Sequence, residues 1–118
     1  MSNYFRDAIR TTITPTAGVP AYPADALAIQ KYYSQISVSA EITPNGATGI
    51  KHTIWGFIQG ANAPIVIQTL VNLETVPTLG KYVIQVPPPP VGGIWSGIAV
   101  QQEVAAGAPT TVVRAAIS

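Results

Sequence analysis

Proline and glycine punctuation constrains this chain more than any other feature. Pro87-Pro88-Pro89-Pro90 and Gly92-Gly93 interrupt one long uncharged stretch, and Gly56, Gly60, Asn62 and Pro64 interrupt another. Proline lacks the amide hydrogen that a helix interior needs, and glycine carries a conformational-entropy cost there. A chain broken in this way every roughly 8–12 residues cannot build long helices, whereas the runs between the breaks suit strands.

Those runs carry strand chemistry. Ile36, Val38, Ala40 and Ile42 alternate with Ser37, Ser39 and Glu41, which predicts a half-buried strand with one polar face. Further β-branched-rich runs follow at Ile50 to Gln59, Ile65 to Leu73, Lys81 to Val86, Ile94 to Gln102 and Thr110 to Ile117, with another near Thr11 to Thr14. Asn45-Gly46 tolerates positive φ at both positions and predicts a hairpin that sets the Ile50 run antiparallel to the Ile36 run. The four prolines predict a rigid polyproline II connector.

Before the sheet, residues 2–10 read as a short amphipathic helix. Ser2 would cap it, Phe5 and Ile9 would share one face, and Arg6 and Arg10 another. Pro15, Pro20 and Pro23 make residues 11–24 an extended segment, and Asp25 to Tyr32 reads as one or two helical turns capped by Asp25. The fold expected is therefore all-β. It is a single-domain β-sandwich over residues 25–118, of jelly-roll or immunoglobulin-like type, preceded by an extended N-terminal arm at 1–24. A length of 118 residues suits one domain and leaves no room for separate catalytic and cofactor domains.

Composition removes most chemistry. Cysteine is absent, which excludes disulfides, thiolate catalysis and Cys-ligated zinc, and a lone histidine, His52, excludes multi-histidine metal sites. The acids Asp7, Asp25, Glu41, Glu74 and Glu103 fall one per segment, with no spacing that pairs two carboxylates. No Gly-x-Ser-x-Gly elbow and no glycine loop opening onto a helix occurs, so His52 reads as a strand histidine bonded to a neighbour rather than a general base. No catalytic residue, cofactor or metal is expected. Six Lys/Arg against five Asp/Glu give a net charge of +1, and Lys31, Lys51, Lys81 and Arg114 are scattered singly, so there is no strong nucleic-acid signal. Only Arg6 and Arg10 beside Tyr4 and Phe5 form a small basic-aromatic group. The uncharged stretches are too punctuated to insert in a membrane as helices, and the first ten residues hold no apolar core of a secretory signal.

What remains is an argument about surfaces. Trp55 and Phe57 share one strand parity while Ile54 and Ile58 take the other, so the two aromatics are expected outward as a flat apolar patch. Several runs are apolar on both faces, and a sheet buried on both faces needs cover on each side. Charged residues are only 9% of the chain, against about 25% in ordinary soluble proteins, which disfavours a solitary monomer. A second copy is the expected cover, with Phe5 and Ile9 docking the arm on a neighbour and Trp55 and Phe57 forming the packed patch.

With no cysteine, few charges, an extended arm and a compact β-domain, the chain is similar in general character to small virion proteins of bacterial viruses. That similarity is compositional and implies a subunit of a symmetric assembly (capsid, decoration or tail), assembled in the host cytoplasm as a homo-oligomer or with other virion proteins. The alternative is a monomeric carbohydrate- or host-surface-binding module that stacks a glycan on Trp55, Trp95 and Tyr82.

Overall fold

The computed structural model describes residues 9–29, 33, 35–58, 60, 63–75, 80–90 and 92–118. Its strands are β1 (Ile9–Ile13), β2 (Leu27–Ala28), β3 (Ile36–Thr43), β4 (Lys51–Ile58), β5 (Pro64–Leu70), β6 (Tyr82–Gln85), β7 (Trp95–Glu103) and β8 (Thr110–Ile117). They form two four-stranded antiparallel sheets packed as a sandwich: sheet A in the order β1-β8-β3-β6 and sheet B in the order β2-β7-β4-β5. β3 to β8 fall on the six expected runs, and β1 on the run near Thr11 to Thr14. Among the described residues no helix is long and apolar enough to cross a membrane.

The strand order has a simple logic. β1 lies beside β8, β2 beside β7, β3 beside β6, and β4 beside β5. The chain is a long two-stranded ribbon closed by the β4–β5 hairpin, and successive segments of the ribbon fall alternately in sheet A and sheet B. This is the winding of a jelly roll.

Three local expectations need correction. The Asn45-Gly46 turn forms, with φ of 54° and 80°, yet it links β3 in sheet A to β4 in sheet B and makes no hairpin. Turn chemistry dictates a local reversal only; β3 already has β8 and β6 as neighbours, so the chain leaves the sheet. Its link meets the β7–β8 link at the end of the sandwich, where Thr48 bridges Ala106. Asp25 caps no helix: its carboxylate accepts the Ala21 amide at 2.9 Å and closes a single turn, after which Leu27 and Ala28 pair with Ile98 and Gly97 as β2. Ile9 and Arg10 are strand rather than helix, in register with Ile117 and Ala116 of β8. The rest of the expected N-terminal helix, with Phe5, lies outside the described residues.

The core follows the period of two. Ile36, Val38 and Ala40 of β3 and Val113, Ala115 and Ile117 of β8 point inward against Ile54, Ile98 and Val100 of sheet B. A smaller cluster, Ile42, Ala47, Ile50 and Leu73, closes one end beneath the two crossing links. Trp95 is 2% exposed in the main cluster; its Nε1 donates to the Pro87 carbonyl at 2.7 Å, so the indole buries no unsatisfied donor. Its ring lies over Gly56, where a Cβ would collide with the indole and sit 2.9 Å from Ile67 Cδ1. Gly56→Ala should overpack this layer and cost about 1–3 kcal/mol, read as a lower urea midpoint at unchanged slope. An unchanged midpoint would mean that Trp95 moves freely and the layer is loose.

Candidate functional site

Over β7 and β4 both faces of sheet B are covered, and the outer cover comes from the chain itself. From Thr14 to Ala26 the proline-rich segment leaves β1 and crosses to sheet B. Thr16 adds to the free side of β7, its amide donating to the Val100 carbonyl at 3.0 Å and its carbonyl accepting from the Gln102 amide at 2.8 Å. Pro20 is buried, and the Tyr22 ring stands 5.3 Å from that of Phe57. Gly97 leaves room for this, since a Cβ there would already sit 3.0 Å from Tyr22. Gln101 ties the cover down: its Nε2 donates to the Ala17 carbonyl at 3.2 Å, and its Oε1 accepts from Trp55 Nε1 at 3.0 Å.

This corrects the reading of the aromatics. Phe57 does point away from the isoleucine face, but it is 0% exposed, sealed by the chain's own segment rather than offered to a neighbour. Trp55 is half-buried beside it with its indole nitrogen already bonded. Trp95 is core and Tyr82 points between the sheets, so Trp55, Trp95 and Tyr82 form no common platform. Ile9 pairs within its own sheet A. Sequence reasoning missed the cover and the tie at Gln101. The available signal was the Gln101-Gln102 pair in an otherwise apolar run, since buried amides require partners on both faces of a strand.

Gln102 serves the inner face. His52 on β4 is fully buried, with Nε2 2.9 Å from Gln102 Oε1 and Nδ1 2.6 Å from the Tyr82 hydroxyl. Gln102 Oε1 can only accept, so Nε2 carries the proton and Nδ1 accepts from Tyr82. Thr111 Oγ1 donates to the same Gln102 oxygen at 2.6 Å. Four residues from β4, β6, β7 and β8 thus link the two sheets through a closed polar latch. Burial holds the imidazole below its ordinary range, against a smaller opposing effect of the Gln102 bond, and burial pushes the Tyr82 hydroxyl up. The arrangement orients the histidine as a structural pin with both ring nitrogens engaged.

Among the described residues, by contrast, nothing covers the outer face of sheet A. In register across it run Thr12, Arg114, Ser39 and Val83, flanked by a row of Ala116, Ser37 and Gln85 and by the pair Val112 and Glu41. Side chains here are mostly small, hydroxylic or aliphatic. Glu41 and Arg114 are diagonal neighbours rather than a direct cross-strand pair. Between β8, β3 and β6 the face dips into a shallow groove of about 450 Å³ lined by Ser39, Glu41, Lys81, Val83, Val112 and Arg114. Elsewhere Lys51 meets Glu103 at 3.7 Å in an exposed pair. Among the described residues no three of His, Asp and Glu converge.

No family model, curated protein or solved structure matches the chain.

Proposed function

We propose that this protein is a structural subunit of a symmetric assembly, a virion component of a bacterial virus such as a capsid, decoration or tail protein. The observation that carries the reading is the outer face of sheet A. It is four strands wide and carries Arg114, Glu41 and Lys81 about its groove among otherwise small or apolar side chains, while the β7 and β4 part of the equivalent face of sheet B is already covered by residues 14–26. A broad surface of mostly small side chains lets copies abut with only a few charges to desolvate or pair, and 9% charged residues leave little to keep separate copies apart. The jelly-roll winding adds support by analogy, since that architecture recurs in viral shells, though also in lectins and cupins.

Size-exclusion chromatography with light scattering, followed by negative-stain imaging of the large fraction, tests this directly. Rings, shells or filaments built from multiples of 12.3 kDa are the expected result. A monodisperse monomer up to about 1 mM would overturn self-assembly.

A further inference from the structure

We infer that β5 is a pairing edge, joining a second copy of this chain strand to strand across a two-fold axis; this rests on the assembly reading above. Each sheet ends in strands whose outer hydrogen-bonding groups lack a partner among the described residues, and such edges are templates for a further strand. The edges differ in how they are guarded. β1 carries Arg10, and β6 is four residues long with Lys81 immediately before it. β2 is two residues long, with Thr16 continuing its side of β7.

Among the described residues β5 is neither short nor charged nor continued by another segment, and its one proline, Pro64, stands at its first position, so the amides of the six residues after it remain. It runs seven residues, Pro-Ile-Val-Ile-Gln-Thr-Leu, without a charge. Charged side chains, especially lysine, are the usual means of keeping an edge single, and here none stands between Pro64 and Leu70. A bulge does occur, because the register with β4 shifts between Ile54 and Trp55 and leaves Ile67 unmatched. That bulge delivers Ile67 inward toward the Trp95 layer, where its Cδ1 approaches Gly56. It therefore serves the core and leaves Val66, Gln68 and Thr69 exposed on either side.

A second copy fits this edge on charge grounds. Any antiparallel register of β5 against itself brings no like charges together, and an isologous contact closes on two copies instead of propagating. Val66 is 48% exposed, next to half-buried Trp55 across the β4–β5 ladder, so pairing would cover an apolar rim as well as complete the ladder. A single seven-residue ladder is small beside a standard interface, so the isolated contact is weak and depends on concentration.

Val66→Lys and Gln68→Lys place the missing guard on exposed positions, and Val19→Lys adds the same charge at a site 60% exposed on the sheet B cover. Light scattering over a concentration series, with thermal unfolding as the fold control, reads the outcome. Wild type should associate, and both β5 variants should weaken association about tenfold or more while Val19→Lys leaves it unchanged. If wild type associates and the β5 variants do so equally well, or Val19→Lys weakens it as much, the β5 contact is overturned and the assembly reading stands. A wild type that stays monomeric to about 1 mM overturns both.

Discussion

Phe57→Ala should destabilise the fold by about 3–5 kcal/mol, a large share of the roughly 5–15 kcal/mol that holds a domain of this kind together. The ring is 0% exposed even though it lies on the outer face of sheet B. Tyr22 packs against it from the covering segment, so truncation leaves a cavity between a sheet and a strip of irregular chain. Such a strip has its own ordering entropy to overcome, and the ring is one of the few large side chains that anchor it. The loss should therefore be accompanied by release of the cover, read as faster amide exchange at Thr16 and Gln102, whose amides are bonded across that contact. Urea unfolding gives the magnitude and exchange gives the location. A variant with wild-type stability and protected amides would show that the cover is held by its backbone bonds and Gln101 alone.

The same residue marks what the sequence could and could not disclose. The alternation in β3 and the positions of six strands are legible because a period of two and proline-glycine breaks are local properties. The face on which Phe57 stands was also legible, as the parity opposite Ile54 and Ile58. Its burial was not, because residues 14–26, which cover it, are separated from it by some thirty to forty residues of chain, and proline-rich composition says extended without saying against what. Asn45-Gly46 fails for a related reason. Its positive φ values were correctly anticipated, but whether a reversal pairs its flanking strands depends on which strands already occupy the sheet, and β8 was still sixty residues ahead. The His52 latch shows the limit for polar groups. A lone strand histidine needs a partner if buried, yet Tyr82, Gln102 and Thr111 converge on it only through the jelly-roll winding.

That latch makes the fold sensitive to acid before its carboxylates begin to titrate. The buried imidazole of His52 holds its proton less tightly than the ordinary histidine at 6.5. Between that value and the lowered native one, the unfolded chain binds a proton that the folded chain refuses. Stability is therefore fully present above about pH 6.5 and falls as pH drops below it, with a slope of at most about 1.4 kcal/mol per pH unit, until the folded protein protonates as well. Among the described residues the ring is hydrogen-bonded to Tyr82 and Gln102, and Gln102 in turn to Thr111, so no carboxylate in this latch compensates the charge. Tyr82 could accept from a protonated Nδ1 only by turning its own hydrogen away from the ring. Glu74 adds a separate loss at lower pH. Its carboxylate is held below the ordinary range chiefly by the Ile50 amide, so its contribution disappears only as pH falls through that lowered value. At the other end, the raised Tyr82 hydroxyl lets the unfolded chain ionise first, so stability falls again above about pH 10. Urea midpoints should decline between about pH 7.5 and about pH 5 in the wild type, and His52→Gln, which retains a neutral amide at the site, should be less stable at the upper pH yet nearly flat across the window. Equal slopes in the two proteins would mean that the ring admits the proton without cost and that the latch is a neutral spacer between the sheets.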